Sequence, residues 1–224
     1  MATHRKVAFL PGEYFHIYNR GNSKQKIFLD DEDRNRFIKL LYLSNTIDRI
    51  KFREQIVDAN INAFDFIKGE NIVSIGAYCL MPNHFHLYIS PTRGVGEISL
   101  YINKICTSYS KYFNGKYKRS GSLFEGRFRA VHIEDDIQAK YLFSYIHLNP
   151  IKLITPKLKE GRISKNEKVV QFLSTYKWSS YLDYTGTKRK ENLILSREKF
   201  PKYFSNIKSF NKEIFEWLKT KTMD

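Results

Sequence analysis

Cysteine is scarce in this chain. Two in 224 residues, Cys79 and Cys106, exclude a disulfide scaffold and a four-cysteine zinc site, and read as reduced thiols in a cytoplasmic protein. Proline (6) and glycine (11) are too few for a collagen-like or low-complexity chain. No apolar run approaches the roughly 18 residues that a membrane-spanning helix needs. The opening MATHRKVAFLPGEYFH holds only a short apolar run, less than a signal peptide requires. Acidic residues are also in deficit, 23 against 38 Lys and Arg, for a formal charge of +15.

What is present narrows the choice further. Hydrophobic residues at 42% and aromatics at 15% exceed what a disordered basic tail carries, so the chain folds around a core, as one or two domains at this length. An excess of positive charge leaves nucleic acid or an anionic membrane surface as partner classes, beside plain solubility.

Residues 13–20, EYFHIYNR, alternate as a strand does and end at Asn19-Arg20-Gly21-Asn22. From Asp30 to about Asn45 the spacing of Phe37, Leu40, Leu41 and Ser44 is helical, with Asp30 or Asp31 as cap. Residues 48–70 read as a loop with room for a helical turn. NIVSIGAYCL (71–80) and HFHLYIS (84–90) form a hairpin across the Met81-Pro82-Asn83 turn. Ile98, Ile102, Ile105 and Tyr109 share one face of a second helix over about 96–113. A short strand is expected near 127–133. A third helix opens at Asp135-Asp136 and stops near Asn149, because Pro150 disfavours helical geometry in the residue before it. The first six elements follow the βαββαβ order of a ferredoxin-like, RRM-like α+β sheet with helices on one face. Residues 151–224 read as a basic, mostly helical and loop extension, with WSSY at 178–181, Lys188-Arg189-Lys190 and an amphipathic helix near 207–221.

Three groups of residues could carry chemistry. His84 and His86 stand two apart on a strand, so both imidazoles project to one side while Phe85 and Leu87 pack on the other. Such a pair can share a divalent cation; equally, these can be two satisfied histidines. Tyr145 and Asn149, four apart, lie on one helical face that Tyr141 continues, and an aromatic core stripe would look the same. Between Lys104 and Arg129 the chain carries Lys104, Lys111, Lys116, Lys118, Arg119, Arg127 and Arg129 against Glu125 alone, a local +6 interleaved with Tyr109, Tyr112, Phe113, Tyr117 and Phe124. Cations hold phosphates and rings stack bases in single-strand binding proteins, although a solvated helix face and a loop have the same composition.

Taken together, MPNHFHLYI (81–89), GSLFEGRFRA (121–130) and SYIHLNPIK (144–152) resemble the REP-associated tyrosine transposases and related HUH single-strand transposases of the IS200-like type. YFHIYNRGNSKQKIF (14–28) and WSSY also look like this group, so the resemblance spans about residues 12–185. It implies a catalytic domain over 12–155 and an extension over 156–224. It carries His84 and His86 over as ligands of Mg²⁺ or Mn²⁺, Asn149 as the polar residue completing that site, and Tyr145 as the nucleophile. It further implies cleavage and rejoining of single-stranded or hairpin DNA, with palindromic repeats as the substrate, through a 5′-phosphotyrosine link. A cytoplasmic, nucleoid-associated protein with no membrane partner follows, and the family admits a homodimer.

Two other classes compete. A non-catalytic RNA- or DNA-binding module of RRM type shares the element order, but needs an aromatic pattern on the central strands that is missing where the histidines stand. A metal-dependent hydrolase of small phosphates would set carboxylates beside the histidines, and 80–92 contains none. If the +6 segment holds phosphates, affinity for a hairpin oligonucleotide with single-stranded flanks falls steeply with salt, by a slope of about −0.7 per single-strand phosphate contacted. Titrations at several salt concentrations measure that slope, and tighter binding to plain duplex would overturn the single-strand preference.

Overall fold

The computed structural model describes residues 8–154, 165–204, 209–212 and 216. Tyr14–Arg20 forms β1, in which Phe15, Ile17 and Asn19 are buried on one face while Tyr14, His16, Tyr18 and Arg20 lie on the other. α1 is Asp31–Leu43, and of the two candidate caps it is Asp30 whose carboxylate accepts the Asp33 amide. The hairpin pairs β2, Val73–Met81, with β3, His84–Pro91. α2, Glu97–Lys116, runs three residues beyond its expected end, and Lys118 then takes a left-handed φ of 50°. β4, Arg129–Ile133, starts two residues later than expected, because Gly126 turns at φ 70° and pairing with β1 begins only at Arg129. α3 spans Asp136–Leu148 with Asp135 as its cap. The ambiguous 48–70 stretch contains a π-helical turn at Arg53–Asp58 and a 3₁₀ turn at Ala63–Asp65.

The four strands form one antiparallel sheet in the order β2-β3-β1-β4, the ferredoxin-like arrangement. α1 and α2 cover one face, where the Phe37 ring lies 5.0 Å from Phe85 and from Tyr109. α3 crosses the opposite face. Covered on both sides, β2 is buried throughout and β3 nearly so, which explains their continuous apolar runs. Gly21 closes β1 against the hairpin turn: its amide donates to Asn83 O at 2.8 Å, and a Cβ there would collide with Gln25 O. The tip of the hairpin, with His84 just behind it, is thereby pinned to the end of β1. No helix among the described residues is long and apolar enough to cross a membrane. Both cysteines are free thiols.

Beyond α3 the described chain returns to the exposed edge of β2. α4, Lys165–Thr175, leads into the WSSY segment and the short α5, Tyr181–Tyr184. Leu80 N donates to Trp178 O at 2.8 Å and Ser180 N to Tyr78 O at 3.0 Å, so WSSY satisfies an edge that would otherwise be open to pairing. Tyr184 donates to Gly76 O, and the Phe200 ring sits so close to Gly76 that a Cβ would meet it at 2.7 Å. The helix expected at 207–221 lies mostly outside the described residues; 209–212 are helical, and Phe210 is buried against Phe143 and His147.

One buried linkage joins these parts. The Ser180 hydroxyl accepts the Tyr78 amide at 3.0 Å and donates to His147 Nε2 at 2.7 Å, while His147 Nδ1 donates to Phe143 O at 2.8 Å. α3 is thus bolted to β2 through WSSY. Ser180→Ala leaves an amide and an imidazole nitrogen unpaired in the core, and we expect a loss of about 1–3 kcal/mol of stability, read from the urea midpoint at unchanged slope.

Candidate active site

Antiparallel partners project to the same side of a sheet, and this assembles the site on the face beneath α3. Tyr18 stands opposite His86 on one side and Arg129 on the other, and Arg20 stands opposite His84. His84 and His86 rings lie 4.8 Å apart at 85°. Tyr145, projecting from α3, places its ring 5.4 Å from His86 and 6.2 Å from His16. Tyr141 stacks behind it at 6.1 Å, and the Lys152 ammonium sits 5.2 Å from the Tyr145 ring centre.

Tyr145 differs from the core tyrosines. Tyr101, Tyr109 and Tyr176 are buried and spend their hydroxyls on the carbonyls of Leu41, Ile27 and Leu80. Tyr145 is half-buried, and its hydroxyl is tied to no described residue. Asn149 is 1% exposed and its amide lies against His84 without a well-formed hydrogen bond, and His86 Nε2 likewise has no partner. Unpaired buried polar atoms are costly, and these, on the residue one turn after Tyr145 and on the ring 5.4 Å from it, are open to a ligand.

The electrostatics keep this place neutral in protons. Burial holds His84 down at about 4, helped by the Lys152 and Arg20 charges and opposed by Asn149. Burial also lowers His16 to about 4. His86 falls well below the usual histidine value through burial and its positively polarised neighbours His16, His84 and Lys152. All three are therefore lone-pair donors at neutral pH. His84 gives its Nδ1–H to Asn83 Oδ1 at 2.6 Å, and the Asn83 amide nitrogen is held by Lys24 O, which puts the His84 lone pair on Nε2. Among the described residues no group of three His, Cys, Asp or Glu side chains is placed to hold a metal ion. The candidate ligands are thus two imidazoles and one amide, all uncharged.

Of the residues singled out in the sequence, the fold brings together His84, His86, Tyr145, Asn149 and, at the rim, Arg129. Arg129 lines a cavity of about 270 Å³ with Tyr18, Asn19, Arg20 and Glu125, in which Arg20 and Glu125 are ion-paired. The other basic residues lie elsewhere. Lys104 donates to Thr46 O and Asp48 O, Lys116 bridges Asp30, Glu32 and buried Asp33, and Arg119 donates to Gln25 Oε1. Lys118 is exposed past the end of α2. Lys111 and Arg127 line a second cavity, about 650 Å³, between α2 and the 121–128 loop. His16, Tyr18, Arg20 and Lys152 belong to the site and were not singled out as site residues. The period-2 alternation of Tyr14, His16, Tyr18 and Arg20 was the available signal, but only strand pairing shows that it faces His86.

Comparison with known proteins gives the chain a family. A family model described as "Transposase IS200 like" matches residues 38–149, half of the chain, from within α1 to Asn149. No curated protein matches it. Among solved structures, a REP-associated tyrosine transposase bound to a REP hairpin is similar over 85% of this chain and 90% of its own, at 16% identity and a TM-score of 0.48. A protein of Deinococcus radiodurans R1 assigned as a transposase is similar over 63% of this chain and 92% of its own, at 13% identity and a TM-score of 0.34.

The buried neutral histidines give the fold a definite acid limit. His16 and His84 at about 4, and His147 at about 3, all lie below the roughly 6.5 of an unfolded histidine. A lowered folded value means that the unfolded chain binds protons first as pH falls. Stability is therefore full above about 6.5 and drains away towards pH 4. Melting temperatures measured from pH 7.5 to 4.5 should fall across that window, and a flat profile would show that these histidines are not held neutral.

Proposed function

Because the chain belongs to the IS200-like transposase family, we propose that it is a single-strand DNA nicking and joining enzyme that works through a covalent tyrosyl–DNA link. The observation that carries this reading is the Tyr145 ring, 5.4 Å from His86, whose buried Nε2 has no partner, and one turn before the buried amide of Asn149, which has no well-formed hydrogen bond. Residues 12–155 form the catalytic unit in this reading, and 156–224 a basic extension whose described part packs on the edge of β2.

The Tyr145 oxygen attacks the scissile phosphorus, its proton passing to solvent, and the bond to the departing 3′-oxygen breaks. That oxygen takes a proton from solvent and leaves as a free 3′-hydroxyl, and the 5′-phosphate stays on the tyrosine. The link retains the phosphodiester bond energy, so attack by another 3′-hydroxyl restores the strand without ATP. Lys152 lends positive charge beside the attacking ring, and Arg20 and Arg129 flank the face on which the phosphate lies. His84 Nε2, His86 Nε2 and Asn149 Oδ1 would hold the divalent cation that the resemblance implies, Mg²⁺ or Mn²⁺, which when bound would polarise the scissile phosphate. Neutral ligands leave such an ion its whole charge. Substrate oxygens and waters would fill the positions that three protein ligands leave open.

The substrate favoured is single-stranded or hairpin DNA of palindromic repeat type, handled in the cytoplasm at the nucleoid, by a monomer or a homodimer. The basic residues on α2 and its C-terminal end lie across the sheet from Tyr145, so Arg129 is better placed than Lys104 or Lys116 to follow a strand leaving the site.

Tyr145→Phe removes one oxygen atom and keeps the ring. Covalent adduct and strand cleavage should both vanish, with melting temperature and hairpin affinity near wild type. His84→Ala and His86→Ala should abolish cleavage while hairpin affinity stays within a few-fold. Adduct formation by the phenylalanine variant, or an adduct peptide mapped to another tyrosine, would sink the assignment.

A further inference from the structure

A neutral imidazole has one N–H and one lone pair, and its neighbours decide which nitrogen carries which. For His84 the neighbour is Asn83 Oδ1, which only accepts. For His86 the neighbour is His16 on the adjacent strand, and it comes from a diagonal position: the register partner of His16 is Tyr88, and that of His86 is Tyr18. His16 Nε2 stands 2.8 Å from His86 Nδ1, with the rings 5.0 Å apart at 26°. Tyr18 stacks on His16 at 4.9 Å and 30°, which holds the His16 ring in this pose.

Two neutral imidazoles sharing one hydrogen bond have two arrangements. If His16 donates, His86 carries its proton on Nε2, and a buried N–H is left without an acceptor in the space around the His86 ring. If His86 donates from Nδ1, its Nε2 presents a lone pair to that same space. Only the second arrangement makes His86 a ligand.

We propose that His16 is a positioning residue for His86: its Nε2 accepts the His86 Nδ1–H and so holds His86 in the tautomer, and the ring orientation, whose Nε2 lone pair faces the cation position. This rests on the reading of His84, His86 and Asn149 as a divalent-cation site. It assigns each ligand imidazole its own outer acceptor, Asn83 for His84 and His16 for His86. Both acceptors are uncharged, which distinguishes the site from histidine sites backed by carboxylates and keeps the positive charge of a bound ion for the phosphate.

The test begins on metal-free wild-type protein, where long-range ¹⁵N–¹H correlation spectra of histidine report the tautomer directly. His86 should carry its proton on Nδ1 and His16 on Nδ1, with both Nε2 atoms unprotonated. A His86 found protonated on Nε2 overturns the proposal, whatever the enzyme does. Mn²⁺ binding, followed by the loss of the free-ion EPR signal, supplies the second readout. His16→Leu removes the acceptor and should weaken Mn²⁺ binding roughly 10- to 100-fold, as outer-sphere changes do. His16→Gln places an amide oxygen near the position of Nε2 and should restore binding to within a few-fold of wild type. If the glutamine variant loses as much affinity as His86→Ala, His16 is itself a ligand and the proposal fails. If His86→Ala binds Mn²⁺ as wild type does, the cation-site reading fails and takes the proposal with it, and the tautomer spectrum separates that outcome from the others.

Discussion

Burial of β3 on both faces is the constraint on which the rest of the molecule depends. A strand with helices on each side sends every second residue into one core and the alternate residues into the other. Phe85 and Leu87 meet α1 and α2, and the same geometry drives His84 and His86 under α3. Imidazoles placed there lose water and cannot hold a proton at neutral pH, so each must find a partner for its N–H and leave its lone pair to be used. The chemistry of the site is in this sense a consequence of packing: low dielectric makes the histidines neutral, and neutrality leaves their lone pairs open to a ligand.

The same burial sets the demands on α3. Tyr145 stands over His86 only if α3 is held in register with the sheet, and side chains alone do little to prevent a helix from sliding on an apolar surface. The Ser180 hydroxyl, caught between the Tyr78 amide and His147, supplies a directional tie two residues from Tyr145 on the helix and on the strand adjacent to β3. The WSSY segment therefore serves the sheet edge and the tyrosine helix together. Residues 165–204, which as sequence look like an appendage, share their core with the strands that carry the site.

Charge is distributed less simply than the basic composition suggests. Lys116 is consumed in a cluster with Asp30, Glu32 and the fully buried Asp33, where it offsets a carboxylate that also accepts from Tyr112 and Tyr117. Lys104 caps two carbonyls. A run of cations in sequence is thus partly structural, and the ones that remain beside the histidines, Arg20, Arg129 and Lys152, come from three separate segments. The Lys152 charge works in the same direction as desolvation on His84 and His86, and that of Arg20 does so on His84.

Local spacing was sufficient to determine much of this protein. Alternation in YFHIYNR, the Pro-Asn turn between two apolar runs, the four-three-four step of Ile98 to Tyr109 and the aspartate caps each encode an element, because these signals arise from the backbone and its nearest neighbours. The pairing of His84 with His86, and of Tyr145 with Asn149, was legible for the same reason: period two on a strand and four on a helix put residues on one side. Tertiary structure alone decided which sides face each other. His16 and Tyr18 lie some seventy residues from His86 and reach it only through the β1–β3 register. Lys152 joins Tyr145 by the turn after α3, and Ser180 reaches His147 from beyond a further helix. Spacing records geometry along one element, and strand order, register and the face a helix covers are settled by the free energy of the whole core.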